Sequence, residues 1–356
     1  MLYHLLIPLG GAFNVVRYST FRTACAMVTA LVFCYWLYPL FIAWMRRKRM
    51  EQIIRADGPQ EHLETKVGTP TMGGVVMLGG IALSALLWSR IDEPLAWMVL
   101  AVTLGYGLIG FVDDWKKVME RSSDGLAGRW KLVWQVVIAG TVLGAAYATG
   151  HMDGTLHVPF YKHAVIDLGW LYLPFAVFVV VGASNAVNLT DGLDGLAIGS
   201  MITSAGTFAV LAYVAGHTEY AAYLHIPHIE GAGELAIFAL AIVGAGLGFL
   251  WYNCYPAQIF MGDVGSLALG GGLGALAVIT KHEILLALVG GVFVMETLSV
   301  MIQVFWFKRT GKRVFRMTPI HHHFEKEGWS EPKIIVRFWI ISALLALVAL
   351  STLKLR

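Results

Sequence analysis

Five carboxylates set in otherwise apolar surroundings are the residues whose chemistry needs explaining. Asp113 and Asp114 sit in Phe111-Val112-Asp113-Asp114-Trp115-Lys116-Lys117. Asp191 and Asp194 sit in Asn188-Leu189-Thr190-Asp191-Gly192-Leu193-Asp194-Gly195, and Asp263 in Phe260-Met261-Gly262-Asp263-Val264-Gly265-Ser266. Carboxylates bordering a bilayer are costly unless cations satisfy them. Several of them from separate places meeting at one face therefore predict a site for a divalent cation and phosphate. The donors are oxygens, with no Cys and no paired His beside them, which predicts Mg²⁺ rather than Zn²⁺.

Spacing refines this expectation. Asp113 and Asp114 are neighbours about 100° apart on a helix, so they point at different partners, and both pair with Lys117 at i+4 and i+3. Asn185, Asn188, Asp191 and Asp194 recur every third residue and share one stripe if the helix continues through them, a pattern suited to a nucleotide base and ribose. Glycines flank Asp263 in a turn opening an apolar run, where free N–H groups can meet phosphate oxygens. Lys66, ahead of Thr69-Pro70-Thr71-Met72-Gly73-Gly74, is available with Lys117 and Lys131 to hold a diphosphate. A helix would spread His321, His322 and His323 around its axis, which argues against a three-ligand zinc site and favours contacts to phosphate or sugar. Glu296 and Gln303 are expected to face the bundle interior. Each motif alone has an ordinary explanation as a cap, a turn or a basic anchor; the group is what carries weight.

The elements that must position these residues follow from composition. The chain has 356 residues, 57% hydrophobic and 14% charged, and its mean hydropathy is +0.67. Soluble domains carry roughly 25% charged residues, so this chain cannot face water all round. The expectation is an all-α membrane protein, a polytopic bundle of ten transmembrane helices with both termini periplasmic, forming a single integral membrane domain over 1–356. The spans predicted are 23–45, 72–89, 95–112, 131–149, 170–187, 196–216, 233–250, 265–280, 284–307 and 334–353. Cytoplasmic active-site loops are then expected at about 46–71, 113–130, 188–195, 251–264 and 308–333. Of the 26 Lys and Arg, 18 fall in segments assigned inside and 7 in those assigned outside, in keeping with the positive-inside rule. Residues 1–22 lack the charged start and short apolar run of a cleavable signal peptide. Cys25, Cys34 and Cys254 have no metal-ligand spacing, and a net charge of +3 gives no reason to expect nucleic acid.

The ordered set of motifs, together with Pro319-Ile320-His321-His322-His323-Phe324-Glu325, resembles the polyprenyl-phosphate N-acetylhexosamine-1-phosphate transferases. The motifs cover about residues 65–330 and the layout covers all ten spans. Any one motif is weak and the ordered set is specific. The external segment from Val158 to Trp170 is also similar to that family's, and the triple histidine resembles the branch acting on muramoyl peptides. The resemblance implies transfer of phospho-N-acetylmuramoyl-pentapeptide from UDP-N-acetylmuramoyl-pentapeptide to undecaprenyl phosphate, releasing UMP, with Mg²⁺, at the cytoplasmic face of the bacterial inner membrane. It also implies a homodimer. On it, Asp113, Asp114, Asp263 and His322 are the catalytic set and Asp263 is the principal metal ligand. Asp113 orients or deprotonates the lipid phosphate, and Lys66, Lys117 and Lys131 neutralise phosphates. Asn188, Asp191, Asp194, Asn253 and Phe260 line the uridine pocket, with Thr71, Gln303, His321 and His323 as further substrate contacts. Direct attack and a two-step route through a carboxylate nucleophile both remain open. A sibling enzyme moving N-acetylglucosamine-1-phosphate is the nearest rival, disfavoured by the triple histidine. A secondary transporter would place its polar residues near mid-bilayer instead.

Overall fold

In hydrocarbon no water is available to backbone N–H and C=O groups, so each long apolar run must satisfy them internally and becomes a helix. The computed structural model describes residues 1–48, 50, 68–120, 122, 124–159 and 165–354; Lys66 lies outside these. After a short helix α1 (Leu2–Leu6) come α2 (Ser19–Arg47), α3 (Gly74–Trp88), α4 (Pro94–Glu120) and α5 (Gly128–Ala148). A two-stranded antiparallel hairpin, β1 (Thr155–His157) and β2 (Val165–Asp167), pairs Leu156 with Ile166. Then follow α6 (Tyr172–Thr190), α7 (Leu196–Ala215), α8 (Thr218–Leu224), α9 (Ala232–Asn253), α10 (Gly262–Ile279), α11 (Glu283–Val289), α12 (Gly291–Thr310), α13 (Ile320–Lys326) and α14 (Glu331–Ser351). Among the described residues nine helices are long and apolar enough to cross a membrane, and α3 is a shorter apolar helix of 15 residues.

Two expected boundaries shift. The segment predicted to end at 112 continues as helix to Glu120 and carries Asp113, Asp114 and Lys117 on its last turns. The segment predicted as one span over 284–307 is two helices, α11 and α12, broken at Gly290. The adjacent Gly290-Gly291 pair has the weakest hold on helical geometry in that run.

Helix α10 is the core of the bundle: every residue from Val264 to Ile279 is buried, and the helix lies between α4 and α6. Helix α9 similarly packs between α2 and α7. The approach of α4 to α10 requires glycine. A Cβ on Gly110 would lie 2.2 Å from the Asp263 carbonyl oxygen. That contact brings the start of α10 against the last turns of α4, three residues before Asp113. At the opposite end of the bundle, Lys281 donates to the carbonyls of Asp153 and Thr155 and ties the hairpin to the end of α10.

Candidate active site

Three helix ends meet at the other end of the bundle: the last turns of α4, the end of α6 and the first turn of α10. Gly262 adopts φ +74°, a conformation open to glycine, and a Cβ there would lie 2.4 Å from Asp114 Oδ2. The turn therefore sits directly on the α4 carboxylates. Asp114 Oδ2 accepts the Val264 N–H at 3.1 Å, capping one of the otherwise unpaired N–H groups at the start of α10 from a different helix.

Two lysines bridge the carboxylates. Lys117 Nζ is 2.6 Å from Asp113 Oδ2, 3.5 Å from Asp114 Oδ1 and 3.2 Å from Asp263 Oδ2. Lys131, from the first turn of α5, is 3.0 Å from Asp113 Oδ1 and 2.8 Å from Asp263 Oδ2. Asn188, two residues before the end of α6, donates to Asp263 Oδ1 at 2.9 Å and to Ser266 Oγ at 2.8 Å. Asp113 and Asp114 are buried, whereas the Asp263 side chain is 16% exposed. A cavity of about 450 Å³ opens beside it, lined by Lys117, Lys131, Asn188, Asp263 and the connection 124–127. Ligand atoms of Asp113, Asp114 and Asp263 lie within 4.8 Å of one another. Three carboxylates against two ammonium groups leave a formal negative charge, and the donors are all hard oxygens, so the cluster fits a metal cation of the Mg²⁺ or Ca²⁺ type.

A second group of predicted residues forms a stitched collar whose side chains are held by protein. Asn253 Oδ1 accepts the Gly195 N–H at 3.0 Å while its Nδ2 donates to the Ile259 carbonyl at 2.8 Å, and the residue is buried. Asp194 Oδ2 accepts the Ala257 N–H at 3.0 Å. The Phe260 N–H donates to the Pro70 carbonyl and the Gly73 N–H to the Phe260 carbonyl, each at 2.8 Å, so the segment around buried Thr71 is paired to the turn before α10. Helix α6 stops at Thr190, and Asp191 turns away at ψ 53°. The stripe from Asn185 to Asp194, which required helix to continue through all four residues, therefore does not form. Asn185 donates to Gln135, and Asn188 reaches Asp263.

The triple histidine lies on α13 and is spread around it, as a helix requires. His321 is buried with Nδ1 3.1 Å from Glu296 Oε1, and its ring packs on Gly192. His322 Nδ1 is 2.5 Å from Glu325 Oε2. His323 Nδ1 accepts the Arg316 N–H at 3.2 Å. Gln303 Oε1 accepts the N–H groups of Val314 and Phe315, fastening the loop before α13. The structure thus joins Asp113, Asp114, Lys117, Lys131, Asn188 and Asp263 in one centre. Asp194, Asn253, Gln303, His321 and His323 make protein contacts around it. Sequence reasoning missed Ser266 and Glu331, whose Oε1 accepts the Asp194 N–H at 2.8 Å. Ser266 had a signal, since it stands three residues after Asp263 on the same helix face; Glu331 had none.

Residues 96–281 match the family model described as Glycosyl transferase family 4. Together with the apolar helices and the acidic cluster, this makes the molecule a multi-pass membrane protein of that glycosyl transferase class. The chain is 58% identical over 360 residues to a protein of Syntrophus aciditrophicus named phospho-N-acetylmuramoyl-pentapeptide-transferase, covering 100% of both chains. Proteins of the same name from Pelobacter propionicus and Desulfotalea psychrophila are 58% and 56% identical, again with 100% of each chain covered. The chain belongs to the phospho-N-acetylmuramoyl-pentapeptide-transferase family.

Proposed function

We propose that the chain transfers phospho-N-acetylmuramoyl-pentapeptide from UDP-N-acetylmuramoyl-pentapeptide to undecaprenyl phosphate, giving the lipid-linked diphosphate and UMP in peptidoglycan synthesis. The observation that carries this is the centre of three carboxylates and two lysines beside a cavity at converging helix ends. Phosphoryl transfer between two anions needs positioning and charge neutralisation more than covalent chemistry from the protein. Lys117 and Lys131 face the cavity and supply positive charge to the diphosphate. Asp263, the half-buried carboxylate on the cavity side, would hold Mg²⁺ with Asp114 beside it, and Mg²⁺ when bound would neutralise diphosphate oxygens. Asp113, tied to both lysines, orients the charges met by the lipid phosphate.

Thr71, Asn188, Asp191, Asp194, Asn253 and Phe260 are assigned to the nucleotide side, directly or by shaping its walls, and Lys66 to neutralising phosphates. Gln303 is assigned to substrate contact, and the three histidines to contact with phosphate or the sugar-peptide. Ten crossings, both termini periplasmic, a cytoplasmic active site and a homodimer complete the reading. A water-soluble nucleotide and a lipid phosphate can meet only at a membrane face, which is where helix ends lie.

The test is UMP release by the detergent-solubilised chain from the UDP substrate and polyprenyl phosphate, with and without Mg²⁺. Release that requires both substrates and the ion is expected; no release with all three present overturns the assignment. Adding UDP-N-acetylglucosamine as competitor separates the sibling activity. Incubation with the UDP substrate alone should trap no phospho-enzyme if attack is direct.

A further inference from the structure

Asp113 belongs to the acidic cluster yet does not line the cavity, and none of its surface is exposed to solvent. What covers it is the stretch Gly125-Leu126 ahead of α5. The Leu126 N–H donates to Asp113 Oδ1 at 2.6 Å, and Lys116 Nζ donates to the Gly125 carbonyl at 3.2 Å, holding this strap against the helix. A Cβ on Gly125 would lie 2.3 Å from Asp113 Oδ1 and 2.6 Å from its Cγ. Space, rather than backbone conformation, is the reason for glycine: any side chain at 125 must displace the carboxylate or lift the strap.

Asp113 is thus held by one hydrogen bond and two ion pairs. Oδ1 meets the Leu126 N–H and Lys131, and Oδ2 meets Lys117. The same two lysines reach Asp263 on the cavity side at 3.2 and 2.8 Å. A buried carboxylate fixed by one backbone N–H and paired with two ammonium groups acts on what it orients, and here that is the pair of lysines facing the cavity.

We propose that the Leu126 backbone N–H and the side-chain-free Gly125 are positioning groups for the transfer reaction, fixing Asp113 so that Asp113 holds Lys117 and Lys131 in register with Asp263. The proposal rests on the transferase reading given above. It makes Asp113 a residue that acts through the two lysines, and it gives the α4–α5 connection a part in turnover.

The test uses the full chain in detergent with two variants, Leu126→Pro, which removes the N–H, and Gly125→Ala, which crowds the carboxylate. Misplacement of reacting groups by about 1 Å costs on the order of 100-fold in rate, so kcat for UMP release should fall roughly 10- to 100-fold in each, with KM for the UDP substrate within about threefold. In an Asp113→Asn background the same changes should cost less than about threefold, because the group they act through is gone. Water-soluble carbodiimide with an amine, read by peptide mass mapping without substrate, should label Asp263 but not Asp113 in the parent chain, and both carboxylates in Leu126→Pro. Wild-type kcat in both variants, or Asp113 unlabelled in Leu126→Pro, overturns the proposal. If Leu126→Pro fails to fold, Gly125→Ala decides by kcat and labelling. Failure of the parent chain to release UMP counts against the transferase reading, while the labelling pattern still decides the strap.

Discussion

Asn188 donates its side-chain amide to Asp263 Oδ1 at 2.9 Å, joining the end of α6 to the first turn of α10. The same amide reaches Ser266 Oγ, so its orientation is fixed from one side and its donor role is committed. The carboxylate that faces the cavity is thereby held with one oxygen on an amide and the other on Lys117 and Lys131.

Replacing Asn188 by Asp removes the donor and adds a fourth carboxylate to the cluster of Asp113, Asp114 and Asp263. We expect kcat to fall about 100-fold, in line with the loss of an oriented polar group at a reacting centre. Asn188→Ser, shorter but still able to donate, should lose less. Steady-state UMP release at saturating substrates checks this, and equal activity of Asn188→Asp and the parent chain would show that the contact has no part in turnover.

Asn253 uses its oxygen on Gly195 and its nitrogen on Ile259, so it pins the turn after α6 to the segment before α10. Asn253→Asp keeps the acceptor and turns the donor into an oxygen facing the Ile259 carbonyl. Leaving that buried carbonyl unpaired costs about 1–3 kcal/mol. Thermal unfolding in detergent should show the loss, and KM for the UDP substrate should rise with it because both segments border the site. A rise in KM with unchanged thermal stability would instead make Asn253 a direct contact to the nucleotide.

Arg22 and Glu234 form a buried pair with two 2.6 Å hydrogen bonds at the end of the bundle away from the site. Glu234 also accepts the Arg90 N–H at 3.0 Å. Glu234→Gln removes the charge that compensates Arg22, and breaking a buried pair from one side costs about 3–5 kcal/mol. A large drop in midpoint temperature is expected, with kcat of the surviving folded protein unchanged. Activity lost at full stability would contradict the separation of the two ends.

How much of this was legible beforehand differs by residue. The membrane class, the Lys117 pairing with Asp113 and Asp114, and the place of Asp263 at a helix start follow from composition and from i+3 and i+4 spacing, which are local rules. The stripe from Asn185 to Asp194 depended on helix continuing through all four; α6 ends at Thr190, near the expected end of that span at 187, and the chain then turns so that Asp194 can accept from Ala257. The break of α11 from α12 at Gly290 was hidden inside continuous apolarity. Contacts such as Leu126 N–H to Asp113, or Glu331 to the Asp194 N–H, join positions whose proximity no single-sequence pattern encodes.

Glu283, at the start of α11, supplies a pH dependence. Burial pushes its carboxyl from 4.5 up to about 7, and Lys281 and Asp153 are the charged groups nearby. Tyr172 donates to its Oε1, while Oε2 has no hydrogen-bond partner among the described residues. An acid whose pKa is higher in the folded chain keeps its proton where the unfolded chain has lost it. Folding stability contributed by this group therefore declines as pH rises from about 4.5 to about 7 and is level above that. The swing is on the order of 3 kcal/mol. Glu283→Gln removes the titration, so its stability relative to the parent chain should increase across that window and then stay constant. Thermal midpoints of both chains at half-unit steps from pH 5 to 8 measure this difference; a difference that does not vary with pH would show that Glu283 titrates alike in the folded and unfolded chain.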